Sequence, residues 1–259
     1  MSDTDELLRW LRKCCSAYQL EPIAVYRKQG NHDWPLTATS ETDLAEQLYA
    51  GGHFLPLPKE PAALANVIEV SLVDYLVAAV AGENGITIQR GTERGYPDLE
   101  FSGSRFGDVF YSVDIKAARR KASKSGKINP HRTQSRIPLY TGHTYFRYPQ
   151  LHWPGTIRPF QDYASHLDII AIYTLDEHSP SRIVDFELIV HEAWRIASKQ
   201  RSSTTREYLG AIDDISKLRD GQGEFSSADE FYKFWRKFPF KTGKTVENQL
   251  KKLLTKSGK

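Results

Sequence analysis

The stretch Val109-Phe110-Tyr111-Ser112-Val113-Asp114-Ile115-Lys116 reads as a β-strand. Successive side chains on a strand point to opposite faces. Val109, Tyr111, Val113 and Ile115 therefore share an apolar face, and Asp114 and Lys116 share the other, two residues apart. This strand, read as running to Ala117, follows a shorter one, Leu99-Glu100-Phe101, across a hairpin connection at 102–107. Pro97-Asp98 opens the shorter strand. An antiparallel hairpin sets the start of its first strand beside the end of its second, so Asp98 is expected next to Asp114. Two carboxylates and an ammonium group then meet at the end of an apolar strand.

Two carboxylates suit a hard cation such as Mg²⁺, which takes one or two of them, keeps several waters and leaves room for phosphate oxygens. Such an ion lowers the pKa of a bound water and shields the charge that builds up on phosphorus. Lys116 can hold the attacking water or the phosphate, or carry a proton if its surroundings depress its pKa. Taken alone, Asp-x-Lys on a strand is an ordinary surface ion pair. The hairpin spacing, with fifteen residues between Asp98 and Asp114, and the basic stretch after Lys116 set this one apart.

A third acid lies upstream. A helix opens near Pro61 and stops near Gly82, with apolar residues over most of its circumference, so deep burial is expected. Glu69 sits inside it, with Val73, Leu76 and Val80 at helical spacing. A carboxylate there is costly unless it is paired, bonded to backbone, or bound to a metal. Around this core, residues 4–18 read as an amphipathic helix and 20–35 as a β-hairpin or loops. Ser40 caps a short helix running through Tyr49, and Ile86-Thr87-Ile88 precedes a polar loop. Leu167 to Thr174 is a buried strand or a helix, which periodicity does not decide. Ile183 to Val190 and Trp194 to Ala197 read as further strands, and Ser227-Ala228-Asp229-Glu230 as a capping box opening a helix through Phe238.

The 259 residues, 40% of them hydrophobic and 12% aromatic, suit one large domain, or one domain with a small attached subdomain, with a real core, and exclude a disordered tail. No apolar run reaches membrane-spanning length, and the acidic start shows no signal peptide. The adjacent Cys14 and Cys15 suit neither a disulfide nor zinc, which points to reduced core residues and a cytoplasmic location. The net charge of +3 is mild, but its distribution is uneven. No Asp or Glu occurs from Ile115 to Gln161, while Lys116, Arg119, Arg120, Lys121, Lys124, Lys127, Arg132, Arg136, Arg147 and Arg158 do. Such a one-sign field favours a polyanion. A second basic region closes the chain: Lys241, Lys244, Lys251, Lys252, Lys256 and Lys259 stand against a lone Glu247. It is either a solvated tail or a further anion-facing element.

The combination Tyr96-Pro97-Asp98 … Val113-Asp114-Ile115-Lys116 resembles the PD-(D/E)xK nuclease superfamily, and within it the EcoRV-like type II restriction endonucleases. Glu69, twenty-nine residues before Asp98, matches the acidic helix residue of that family. Trp34-Pro35-Leu36, Gly142-His143-Thr144-Tyr145-Phe146, the 159–166 segment and the 223–231 segment, with Phe234-Trp235-Arg236 behind it, resemble family segments in the same order. The resemblance implies an α/β (α+β) restriction-endonuclease-like fold, a mixed central sheet flanked by helices with a small dimerisation and DNA-recognition subdomain. It divides the single domain into dimerisation elements at roughly 20–60, a catalytic core at 61–175, a DNA-recognition region at 183–240 and a basic tail at 241–259.

It further implies a homodimer that cuts double-stranded DNA at a short palindrome with Mg²⁺, leaving 5′-phosphate ends, beside a methyltransferase acting on the same sequence. Asp98, Asp114 and the Ile115 carbonyl would bind metal, Lys116 would position or activate water, and Glu69 would support a second metal site. Arg201, Ser202, Ser203, Thr204, Thr205 and Arg206 occupy the place of the family's major-groove loop. Arg90, Thr92 and Arg94 occupy its second DNA-facing loop, and Arg119, Arg120, His143 and Thr144 join the DNA-facing candidates. Arginine can clamp a guanine edge, and Ser or Thr can reach several bases. The family loops lack these arginines, so the target sequence does not carry over. A structure-directed repair or junction-cleaving nuclease on the same fold is the first alternative. A non-catalytic DNA-binding protein is the second, against which stands the acid–acid–lysine set, because a pure binder gains nothing from acids facing phosphate.

Overall fold

The computed structural model describes residues 2–20, 39–43, 46, 61–92, 95–176 and 183–256. Helix α1 (Asp3–Ala17) starts at Ser2, whose hydroxyl accepts from Asp5 N–H while the Asp5 carboxylate reaches back to Ser2, a reciprocal cap. Helix α2 spans Pro61–Val80. Strands β1 (Thr87–Arg90), β2 (Leu99–Ser102), β3 (Tyr111–Ala122), β4 (Ile128–Thr133), β5 (Pro138–Thr141), β6 (Ser165–Leu175) and β7 (Ile183–Glu192) follow. A helical turn α3 (Ala193–Ile196), strands β8 (Ala197–Arg201) and β9 (Tyr208–Ala211), and helices α4 (Ile215–Asp220), α5 (Ala228–Lys237) and α6 (Lys244–Lys256) complete the chain. The main sheet runs β1-β2-β3-β6-β7 with β4 added to the far end of β3, and only β3 and β6 are parallel. A second sheet has the order β5-β9-β8. This is the mixed α/β architecture that the sequence implies.

Alternation along β3 and β6 divides the interior into two cores. Tyr111, Val113 and Ile115 join Leu167, Ile169, Ala171 and Tyr173 on the face covered by Leu7 and Leu11 of α1 and Leu64, Ile68, Leu72 and Leu76 of α2. On the opposite face, Ile170 and Ile172 pack with Tyr140, Phe146, Phe160, Phe231 and Trp235. Ser227 caps α5 by accepting from Glu230 N–H, but the Glu230 carboxylate returns to the N–H and hydroxyl of Ser226 rather than to Ser227.

One open alternative closes and three expectations change. The 167–174 run is a strand, because it lies parallel to β3 with both faces covered. Trp194 to Ala197 is not one strand: 193–196 form the turn α3 at which the chain passes from the main sheet to the second, a distinction that four apolar residues do not encode. Val109 precedes β3 and is exposed, so the apolar face begins at Tyr111. Helix α2 is buried on one side only; Val70 is 45% and Val77 37% exposed, because the helix packs on one face of one sheet. Ser40 accepts from Asp43 N–H as an N-cap does. Trp34-Pro35-Leu36 and, beyond Leu20, the 20–35 segment read as a hairpin or loops lie outside the described residues, as does most of the Ser40–Tyr49 helix. Cys14 and Cys15 are free thiols, the latter buried. Among the described residues no helix is long and apolar enough to cross a membrane.

Candidate active site

Strand β2 pairs with β3 only as far as Leu99 opposite Val113. Beyond that point the chain turns away at Asp98, and β4 rejoins the same edge of β3 only from Arg120. Odd-numbered residues of β3 aim their backbone groups at this edge, so the N–H groups of Ile115 and Ala117 have no strand opposite them. A buried backbone donor left without a partner is costly. Two carboxylates fill the gap. Asp98 Oδ2 accepts from Ile115 N–H at 2.7 Å, and Glu69 Oε1 accepts from Ala117 N–H at 2.9 Å. The acids of two other segments are thereby drawn to the one stretch of β3 where a strand is missing.

Asp114 and Lys116 rise from the same stretch. The Lys116 Nζ lies 2.5 Å from Asp114 Oδ2 and 4.0 Å from Asp98 Oδ2. The Asp114 side chain is 6% exposed, Lys116 23% and Asp98 36%, so the group is sunk at one end and open at the other. Burial pushes the Asp114 carboxyl well above its ordinary range against the lowering pull of Lys116, and Asp98 and Asp168 push it further up. For Lys116, burial opposes the charged form, but Asp114, Asp98 and Glu69 outweigh it and hold the ammonium protonated. Burial likewise raises Glu69. On the outer side, Glu69 and Asp98 line a cleft of about 450 Å³ with Asn66, Val70, Arg90, Gly91 and Thr92. Gly91 is required there: a Cβ would stand 1.9 Å from the Pro97 carbonyl oxygen, and its N–H donates to Asp98 O.

Beneath Asp114 lies an acid that the sequence motifs do not mark. Asp168 of β6 is the register partner of Asp114 and is fully buried. The Tyr140 hydroxyl of β5 donates to its Oδ2 at 2.7 Å, while its Oδ1 has no partner. Burial raises its pKa to about 7. Two register positions away, on the same face, His166 Nδ1 meets the Ser112 hydroxyl at 2.7 Å, with Tyr96 against both, and burial holds this imidazole neutral. The sequence signal for Asp168 is a lone acid in the apolar run Leu167-Asp168-Ile169-Ile170.

The sequence model described as Restriction endonuclease EcoRV matches residues 30–256. The chain belongs to this family. An EcoRV-family restriction endonuclease is a nuclease, and its substrate is DNA. No curated protein matches the chain. In this EcoRV-family chain Asp98, Asp114, Lys116, Ile115 and Glu69 come together as one cluster.

The DNA-facing candidates do not all stand free. The loop 202–207 joins β8 to β9, and its base is locked: Arg201 Nη1 lies 2.5 Å from Glu207 Oε1, and Arg201 Nη2 donates to Thr204 O. Glu207 also accepts from Lys241 N–H through its second oxygen and from Gly142 N–H through its carbonyl. Ser203 Oγ accepts from Arg206 N–H and lies 3.4 Å from the Thr205 hydroxyl. Ser202 N–H donates to Tyr208 O. Thr204, Thr205 and Arg206 project outward as exposed residues.

Arg120 is buried and committed to Glu187, Asp185 O and Thr174, so its guanidinium serves the interior rather than an outer ligand. Thr144 is buried and donates to Thr141 O, and His143 is half-buried with an unpartnered Nδ1. Arg119 lines a small pocket with Ala62, Ala117 and Ser135. Arg90 is half-exposed and pairs with Asp74, Thr92 is exposed at the cleft, and Arg94 lies outside the described residues. Sequence gives no sign that Glu207 partners Arg201, because a loop's own counter-charge looks the same there as a solvated acid.

Proposed function

We propose that this EcoRV-family chain is a type II restriction endonuclease that hydrolyses phosphodiester bonds in a short palindromic duplex site, as a Mg²⁺-dependent homodimer leaving 5′-phosphate ends. The observation that carries the reading is the acid–acid–ammonium cluster on the unpaired edge of β3, opening into a cleft. The donor set fits a hard cation. Asp98, Asp114 and Glu69 each use one oxygen within the protein, for Ile115 N–H, Lys116 and Ala117 N–H. Their second oxygens are the remaining hard donors. Mg²⁺ takes one or two carboxylates, keeps several waters and shares phosphate oxygens.

Asp98 and Asp114, with the Ile115 carbonyl, would hold Mg²⁺, and Glu69 would support a second position. When bound, the ion supplies an acidified water and charge shielding at phosphorus. Asp114 holds the Lys116 ammonium in place, and that ammonium positions the attacking water or the scissile phosphate by charge and hydrogen bonding. Sequence is read by the exposed Thr204, Thr205 and Arg206, on a loop that Arg201 holds at its base. The reading sets the enzyme in the cytoplasm beside a methyltransferase that protects the same sequence.

The testing experiment compares wild type with Asp98→Ala and Lys116→Ala. Cleavage falls by about a thousandfold or more in each, while duplex binding without divalent cation and the circular dichroism spectrum are kept. Normal cutting by either variant removes the site assignment, and cutting only at branches or mismatches replaces it with a structure-directed nuclease.

A further inference from the structure

Nothing assigned so far uses Asp168 or Tyr140. Every residue of β6 from Ser165 to Thr174 is buried, and Asp168 stands among them between Leu167 and Ile169 with one oxygen, Oδ1, unpartnered. An unsatisfied buried polar atom is costly, and an apolar side chain of similar volume avoids that penalty. The other oxygen accepts from the Tyr140 hydroxyl at 2.7 Å. Tyr140 is itself fully buried, edge-on to Tyr96, Phe160 and His166 with ring centroids 5.6, 5.7 and 5.9 Å away. A buried tyrosine hydroxyl needs a partner, and Asp168 supplies it.

An irregularity of β5 places Tyr140 there. Pro138 is opposite Gly210 and Thr141 opposite Tyr208, so three steps along β5 match two along β9. Alternation breaks at the extra residue, and Leu139 and Tyr140, consecutive in the strand, are both buried. Bulges of this kind re-aim a side chain and are frequent beside active sites. Just past the bulge, Thr141 faces Tyr208, and Gly142 N–H donates at 2.9 Å to the carbonyl of Glu207, the last residue of the 202–207 loop. The run Tyr140-Thr141-Gly142 therefore meets the exit of the loop at one end. At the other it reaches, through Asp168, the register partner of Asp114 in the parallel pair of β6 and β3. Extended chain rises about 3.3 Å per residue, so only about 7 Å of backbone separates the two ends.

We propose that Tyr140 and Asp168 are positioning residues for the cleavage reaction: their hydrogen bond fastens the exit of the 202–207 loop to the strand pair that carries Asp114 and Lys116. This rests on the proposed function above, in which that loop faces the target and those side chains act at the phosphate. The fastening sets the distance between the base pairs that are read and the bond that is cut. Rate is steep in that distance, since a misplacement of about 1 Å costs about a hundredfold. A target that fits the loop brings the scissile phosphate onto Asp114 and Lys116. A site that differs by one base pair seats the loop poorly, and a fastened loop passes that misfit on to the chemistry. Neither residue touches substrate; both act through Asp114 and Lys116.

The test measures single-turnover cleavage and divalent-free duplex binding by the full chain, on the target and on sites that differ by one base pair. Tyr140→Phe keeps the ring and removes the hydroxyl; Asp168→Leu removes the acceptor. Each is expected to lower both the cleavage rate at the target and the ratio of target to variant-site cleavage by about tenfold, with duplex binding and the circular dichroism spectrum kept. Asp168→Asn, whose amide oxygen still accepts from Tyr140, is expected to lose less than Asp168→Leu. The double variant Tyr140→Phe/Asp168→Leu is expected to lose no more than the worse single one, because the same bond is removed in all three. Should Asp168→Leu not fold, Tyr140→Phe against Asp168→Asn decides alone. An unchanged ratio in folded Tyr140→Phe overturns the inference, as do multiplying losses in the double variant or an Asp168→Asn as slow as Tyr140→Phe. A loss confined to duplex binding, with bound DNA cut at the wild-type rate, also overturns it and leaves the pair as packing. A wild-type chain that cuts no duplex would defeat the proposed function first, and is distinguishable because no rate exists to compare.

Discussion

At the scale of single residues, the structure separates side chains that look alike in sequence. Arg201 and Arg206 flank the same loop, yet Arg201 is paired with Glu207 while Arg206 offers only its backbone N–H to the loop. Arg206→Ala is therefore expected to relax base preference at one position of the site by about 1–3 kcal/mol of discrimination. Arg201→Ala and Glu207→Gln are expected to weaken binding to all duplexes together; competition binding against single-base variants separates the two outcomes. Asp168 gives a pH signature. Its folded pKa of about 7 lies above its ordinary 3.8, so its neutral form contributes stability that is complete below pH 4 and is lost as pH rises through 7. Asp168→Asn removes that loss. Urea midpoints should show the variant gaining on wild type by on the order of 4 kcal/mol between pH 4 and pH 8; parallel profiles would show that Asp168 is ionised in the folded state. Asp98, Asp114 and Lys116 are legible in the sequence because strand alternation and hairpin pairing are local rules. Tyr140 under Asp168 is not, because 28 residues and a change of sheet separate them.

At the scale of elements, the site depends on a strand that stops early. Were β2 to continue past Leu99, Asp98 and Glu69 would have no backbone N–H groups to hold, and the cluster would lose its frame. Glu69 shows how far sequence reaches: helical spacing places a carboxylate in an apolar environment and leaves a backbone partner as one of several alternatives. The identity of that partner, Ala117 N–H, depends on the gap in the sheet. Helices α1, α2 and α5 are readable from caps and 3.6-residue periodicity, whereas α3, β4, β5 and β9 are short segments whose conformation is set by neighbours. The aromatic packing of α5 on the second core yields a simple check. Trp235 is fully buried against Phe234, Phe238 and Phe240, and Trp235→Ala is expected to cost about 3–5 kcal/mol. Ser227→Ala, which removes only the α5 cap, is expected to cost about 1 kcal/mol. Equal losses in denaturant titrations would mean that α5 does not carry this core.

At the scale of the whole molecule, two sheets divide the work. The main sheet carries Asp114 and Lys116 and holds Asp98 and Glu69 against its unpaired edge; the second carries the loop that faces outward. They meet through Tyr140 and Asp168 directly below Asp114, so the loop is referenced to the chemistry by a buried contact rather than by a linker. A palindromic site asks for two such units related by a twofold axis, and sedimentation at micromolar concentration is expected to give a dimer. The most direct measurement is digestion of a sequenced plasmid with Mg²⁺, followed by mapping of every end, with Asp98→Ala alongside. The account predicts discrete double-strand breaks at one short palindrome, 5′-phosphate ends and no breaks from the variant. Intact plasmid with the folded wild-type protein, or the same breaks from Asp98→Ala, would contradict it.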